Sequence, residues 1–237
     1  MTARFHVPCP FEPGVSLALP EQAARHAGLA LRLREGDAIE LFDGAGRRAS
    51  AELTFPEGRA CARILETRTV PAPRLRLTVI QALVAEEKLS FVIEKAVELG
   101  VGSIVLFRAK RSVVELKGAR LEKRLAAWTK RAISACEQSG NDFVPEIRFC
   151  GSAQEAFAGE TSRAKFILTP REARPLRLEA APSAAFAVGP EGGFEDEELA
   201  QALAAGFTPA LLGPRILRTE TAALAACAVA QSQAGDF

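Results

Sequence analysis

The sequence predicts an α/β protein in which a small β-rich N-terminal domain precedes a larger domain built on a mostly parallel sheet. Three observations carry this reading. Up to about Thr69, short apolar runs are separated by turn chemistry. Val70-Pro71-Ala72-Pro73 then interrupts helix and strand alike, because proline lacks a backbone donor and restricts the residue before it. Beyond it, β-type apolar runs alternate with stretches of helical periodicity. The expected domains are residues 1–70 and 74–237.

In the first domain, Ala38–Phe42 and Arg48–Leu53 flank Asp43-Gly44-Ala45-Gly46, whose glycines can take positive φ and close a hairpin. A further run, Ala60–Leu65, follows the turn at Pro56-Glu57-Gly58, and Glu21–Arg34 is rich enough in Ala and Leu to form one helix. In the second domain, Leu75–Leu83, Ile104–Phe107, Phe166–Thr169, Ala185–Val188 and Ala210–Leu212 read as buried strands. Between them, Leu89, Val92, Ile93, Ala96, Val97 and Leu99 share one helical face that Gly100 can terminate. Leu121, Leu125, Trp128, Ala132 and Cys136 form a second stripe; Glu197–Ala205 before Gly206 and the Ala-rich Ala222–Gln231 are further helices.

Composition narrows the functional classes. The chain has 237 residues, 48% of them hydrophobic and 25% charged, which is ordinary globular usage. With 30 Lys plus Arg against 29 Asp plus Glu, the net charge of +1 excludes a polycationic nucleic-acid tail and an acidic disordered one. Five scattered cysteines without a Cys-x-x-Cys pair argue against a disulfide framework or a zinc knuckle, and no metal is expected. No apolar run approaches the about 20 residues that cross a bilayer, and the N-terminus lacks a signal-peptide core, so a soluble cytoplasmic protein is expected.

The near-zero total conceals an uneven distribution. Residues 73–150 hold fourteen basic and nine acidic side chains, residues 151–237 seven and eleven. Between Arg108 and Arg131 nine basic residues, among them Arg111, Arg124 and Arg131, face only Glu115 and Glu122. This strip reads as a phosphate-binding surface, with a solvated helix face as the alternative.

Two loops stand out. Gly189-Pro190-Glu191-Gly192-Gly193 follows an apolar strand and precedes a helix opened by Glu195, Asp196, Glu197 and Glu198. Such a loop sits at the carboxyl end of a parallel strand, where open α/β sheets bind ligands. It matches no phosphate cradle, and the acids after it would repel a nucleotide phosphate. A turn leading into an acid-enriched helix start is the bland alternative. The second loop, Leu211 to Thr221, carries Arg215, Arg218 and Glu220 beside Ile216 and Leu217, just before a helix that must pack into the core. Charges there are costly unless they contact a ligand or partner. Together the loops can enclose a flat, largely apolar ligand with one polar end.

These loops, with Arg4-Phe5, His26 to Arg32, Lys88, Glu94-Lys95-Ala96, Glu98 to Val101, Arg111-Ser112 and Ile133 to Ser139, carry a resemblance that spans nearly the whole chain. The sequence resembles the RsmE family of SPOUT-class RNA methyltransferases, which methylate N3 of a uridine in small-subunit (16S) ribosomal RNA. The resemblance implies an N-terminal PUA-like β-barrel domain that binds RNA and a C-terminal SPOUT-type α/β domain closed by a trefoil knot. It also implies a homodimer and S-adenosyl-L-methionine as cofactor. By position, the cofactor pocket would comprise Leu168, Thr169, Gly189, Pro190, Glu191, Gly192, Leu212, Gly213, Ile216, Leu217 and Arg218, with Ile216 and Leu217 packing on adenine.

Chemically, N3 methylation requires an in-line approach and removal of the N3 proton. Arg218 is the expected stabiliser of charge on the uracil carbonyl oxygens, and Glu191 or Glu220 the proton acceptor. A flipped or single-stranded uridine is expected as substrate. Arg4, His26 and Arg32 are the RNA-binding candidates of the first domain; a structural role is the alternative for His26. One departure stands out: the family usually has Arg-Asn where this chain has Asn141-Asp142, so either an arginine role is lost, or Asn141 serves the local turn and another arginine contacts RNA. A non-catalytic RNA-binding or ribosome-assembly factor is the alternative function.

Overall fold

The computed structural model describes residues 2–171, 173–179 and 181–237. The chain divides into two compact units. One comprises the residues up to Ala72 together with Ile133–Val144; the other comprises Pro73–Ala132 and Pro145–Phe237.

The first unit is a five-stranded sheet of strands β1 (Ala3–His6), β2 (Ser16–Ala18), β3 (Ala38–Phe42), β4 (Arg47–Thr54) and β5 (Cys61–Thr69), in the order β1-β3-β4-β5-β2. The expected hairpin is present: β3 and β4 pair antiparallel across Asp43–Gly46, and Gly44 and Gly46 both take positive φ. Asp43 tightens this turn, its carboxylate accepting from the amides of Ala45 (2.7 Å) and Arg47 (2.9 Å). Alternation along the strands points Phe5, Ile39, Leu41, Leu53 and Ile64 into one core, all buried.

The single helix expected over Glu21–Arg34 does not form. Helix α1 covers Glu21–Arg25 and widens into a π-type turn at His26–Ala30, with Arg32 left-handed at φ 53°. Gly28 offers the helix no side-chain support, and Ala27 is wholly buried in the core, so packing overrides the Ala/Leu propensity.

Ile133–Val144 joins this unit through a buried polar cluster. The Asp142 carboxylate, 3% exposed, accepts from Arg4 Nη2 (2.7 Å) and Arg48 Nε (2.8 Å), and Arg48 Nη2 also pairs with it. Arg4 Nη1 donates to the Cys136 carbonyl, and the His6 amide donates to Glu137 (3.1 Å). Asn141 Oδ1 accepts from the Phe143 amide (2.9 Å), which is the local-turn role.

The second unit is a seven-stranded sheet in which every pairing is parallel, and helices separate most successive strands. In chain order it comprises β6 (Arg76–Ala82), α2 (Glu86–Glu98), β7 (Val101–Phe107), α3 (Gly118–Ser139), β8 (Glu146–Cys150), α4 (Ala153–Ala158), β9 (Ala164–Leu168), β10 (Arg174–Pro175), β11 (Ser183–Val188), α5 (Asp196–Ala204), β12 (Thr208–Leu211) and α6 (Thr219–Ala234). The last turns of α3 lie in the first unit. The sheet order is β10-β12-β9-β11-β6-β7-β8. All five strands read from apolar runs are present. The two that were not read, β8 and β10, are edge strands, where one unpaired side relaxes the demand for a continuous apolar run.

Helix ends follow their residues. Gly100 after α2 takes φ 74°, and Gly206 after α5 takes φ 84°. Glu195 and Glu198 form a reciprocal capping box at the start of α5, so the acid-rich helix start has a structural role there. Central β11 is buried along its whole length.

Candidate functional site

Two loops emerge from the carboxyl ends of the parallel strands β11 and β12, which flank β9 in the sheet. The first leaves β11 at Gly189 and turns back at Gly193, where φ is 72° and the amide donates to the Pro190 carbonyl (2.9 Å). Phe194 anchors its far end in the core, stacking on Phe107 (6.4 Å between rings, 1° apart) and packing on Phe157 (6.2 Å). A Cβ at Gly189 would lie 3.2 Å from the Phe194 ring and one at Gly192 3.1 Å from Arg111, so side chains are poorly accommodated at both. The second loop leaves β12 and runs through Gly213, at φ 98°, to Arg218, which precedes α6.

A cleft of about 550 Å³ opens between them, its walls including Lys88, Arg111, Thr169, Gly189–Gly193 and Ile216–Arg218. A neighbouring cavity of about 280 Å³ is lined by Leu168, Thr169 and Ala210–Leu217. The cleft size suits a small organic ligand, and few polar side chains point into the Leu-lined cavity. The structure therefore gathers the pocket residues expected from the sequence: Leu168, Thr169, Gly189, Pro190, Glu191, Gly192, Ile216, Leu217 and Arg218 in the cleft, and Leu212 and Gly213 in the adjoining cavity.

At the polar end of the cleft stands Lys88, in the first turn of α2. Its ammonium donates to Glu191 (2.7 Å), and its pKa is raised chiefly by that bond and further by the charge of Glu220, while Arg218 opposes. The same bond holds the Glu191 carboxyl below its usual range against a smaller desolvation effect. Arg218, Glu191 and Glu220 thus share the field of one ammonium. Glu220 Oε2 is enclosed and, among the described residues, has no hydrogen-bond partner. Lys88 was not foreseen as a site residue. A signal was present: a cation in the first turn of a helix opposes the macrodipole unless an acid offsets it.

The RNA-binding candidates separate. His26 and Arg32 are exposed, the His26 ring standing edge-on to Phe5 at 6.1 Å. Arg4 is enclosed, with its side chain 8% exposed, and holds Asp142 rather than facing solvent. Arg111 lies in the cleft wall, donating to Glu195 (2.6 Å) and to the Gly192 carbonyl (2.6 Å). Arg124 pairs with Glu86 (3.1 Å) and Arg131 with Glu94 (3.0 Å). Arg108 and Lys117 pair with Glu115, and Lys110 with Glu197. Glu115 within the basic strip thus takes two of these cations, and acids elsewhere in the chain take four more, which a count along the strip does not see. Of its members, Arg120, Lys123 and Lys130 form no ion pair among the described residues.

Comparison with known proteins agrees with this geometry. The RNA methyltransferase domain model matches residues 71–231, and the RNA methyltransferase PUA domain model matches residues 19–65. Ribosomal RNA small subunit methyltransferase E of Mycobacterium bovis is 34% identical over 210 residues, 85% of this chain and 80% of that protein. The Bacillus subtilis protein of that name is 29% identical over 229 residues, 90% and 88% of the two chains. The Neisseria gonorrhoeae protein of that name, solved bound to S-adenosyl methionine, superposes with a TM-score of 0.91 at 38% identity over both full chains. A Legionella pneumophila methyltransferase solved with its cofactor SAM gives 0.94 at 32% identity, also over both full chains. With an RNA methyltransferase domain over most of its length, a PUA domain before it and these relatives, the chain belongs to the ribosomal RNA small subunit methyltransferase E (RsmE) family.

Proposed function

We propose that this chain transfers a methyl group from S-adenosyl-L-methionine to N3 of a uridine in small-subunit (16S) ribosomal RNA. The observation that carries the reading is the glycine- and leucine-lined cleft whose wall brings Lys88, Glu191 and Arg218 together, with the charge of Glu220 acting on the same ammonium. The residues fit the cofactor. Gly189 and Gly192 leave backbone where a side chain would crowd the wall, and Leu168, Leu212 and Leu217 supply an apolar seat for adenine.

The bound cofactor supplies an electrophilic methyl group on a sulfonium centre. The chain must then orient the uracil and manage one proton and one developing charge. Arg218 is exposed at the end of the second loop, and its guanidinium serves the negative charge that grows on the uracil carbonyl oxygens as N3 loses its proton. Glu191 is held as a carboxylate by Lys88 and is the weaker base for it; Glu220, with an unpartnered oxygen, is the proton acceptor we favour. The exposed His26 and Arg32 side chains in the first unit, and Arg120, Lys123 and Lys130 on α3, remain available to meet RNA phosphates. The family reading extends to a trefoil knot, made where the last segment of the second domain threads a loop, to a homodimer and to a cytoplasmic location; no helix among the described residues is long and apolar enough to cross a membrane.

Mass spectrometry of 16S ribosomal RNA incubated with the protein and S-adenosylmethionine tests the proposal. A single added methyl on uridine N3, lost with Arg218→Ala, is expected. Cofactor binding without any methyl transfer would instead favour the assembly-factor function.

A further inference from the structure

Gln81 is an anomaly in its strand. Its neighbours Val79, Ile80, Ala82 and Leu83 are apolar and buried, and Gln81 itself is 0% exposed. A buried amide is unfavourable unless its hydrogen bonds are made, and here they are made in one direction. Gln81 Nε2 donates to the Ala82 carbonyl (3.0 Å) and to Thr219 Oγ1 (2.9 Å). The Ala82 carbonyl can only accept, which fixes the amide orientation. The Thr219 hydroxyl, having accepted from Gln81, has its proton free for the Gly189 carbonyl at 2.7 Å.

The positions of these residues give the relay its reach. Gln81 pairs in register with Val188, the last residue of β11 before Gly189, and Thr219 opens α6 directly after Arg218. One buried amide therefore ties the start of the first cleft loop to the end of the second. Its cost is visible too, because Gln81 Oε1 is enclosed without a partner among the described residues. A leucine would avoid that cost at this depth.

We propose that Gln81 is a positioning residue for the cofactor cleft, fixing the separation of its two loops through the Thr219 hydroxyl. This rests on the reading of the cleft as the S-adenosylmethionine site. The relay sets loop geometry before the cofactor arrives, so its loss weakens binding by leaving the two loops to be ordered at the moment of association.

Calorimetry with S-adenosylmethionine, combined with amide hydrogen exchange of the cofactor-free protein over 189–194 and 212–218, tests it. Gln81→Met and Thr219→Val should each weaken binding about tenfold and speed exchange in both loops, while Thr219→Ser, which retains the hydroxyl, stays near wild type. The double variant should be no weaker than either single one, since both break the same relay. Wild-type affinity and exchange in Gln81→Met overturn the proposal, as does a lowered melting temperature with affinity intact. Additive effects of the two substitutions also overturn it. Should Thr219→Val fail to fold, Gln81→Met and Thr219→Ser carry the same decision. Failure of the wild-type protein to bind S-adenosylmethionine would sink the cofactor reading instead, and the exchange data would still decide whether the relay orders both loops.

Discussion

Removing the Asp142 carboxylate should destabilise the first unit more than any surface change. The side chain is 3% exposed, and its partners Arg4 and Arg48 are 8% and 19% exposed, so Asp142→Ala leaves two guanidiniums in a poorly solvated site. Breaking a buried pair from one side costs about 3–5 kcal/mol. Glu40 remains 2.7 Å from Arg4 and 3.3 Å from Arg48, which places the loss at the lower end, about 3 kcal/mol. For a chain of this length that is a fall of roughly 6–12 °C in melting temperature, read by far-ultraviolet circular dichroism. Asp142→Asn keeps an acceptor without the charge and should fall between the variant and wild type. A loss below about 1 kcal/mol for Asp142→Ala would refute the argument, because surface ion pairs give that much.

Three other outcomes follow from particular residues. The carboxyl of Glu137 is pushed up chiefly by burial, with the His6 amide opposing, so the native state holds its proton to higher pH than the unfolded chain does. The stability it contributes is present below the unfolded pKa and lost as pH rises through the folded one; Glu137→Gln should therefore melt higher than wild type at pH 7, with the gap closing near pH 4. Gly213→Ala meets no atom within 4 Å but must hold φ 98°, so it should cost about 1–2 kcal/mol through backbone strain and weaken S-adenosylmethionine binding in calorimetry. Replacing Arg120, Lys123 and Lys130 together by Gln should lower the slope of log affinity for single-stranded RNA against log salt by about 2, whereas Arg111→Ala should leave the slope unchanged and weaken cofactor binding.

Sheet, helices and loops were legible because each rests on local rules. Period-two and period-3.6 burial, glycines at positive φ and proline at Val70–Pro73 all act within a few residues. The helix expected over Glu21–Arg34 failed where Ala27 had to enter the core, a demand made by distant strands. The edge strands β8 and β10 escaped because one side of each faces no neighbouring strand. The pocket residues were legible because they cluster in two loops, whereas Lys88 and Gln81 lie in a separate helix and strand, and only folding brings them to the loops.

Sequence alone determined the α/β class, the order of most elements, the two loops at the carboxyl ends of strands, and a near-zero charge unevenly distributed. Tertiary structure decided which charges are free. Six of the nine cations between Arg108 and Arg131 find acidic partners, several of them on elements far along the chain, because ion pairing depends on distance in space and sums along a sequence do not. It likewise decided that Asp142 would be enclosed by two arginines, and that one buried amide would bind both cleft loops, since a polar group so deep persists only where folding supplies its partners.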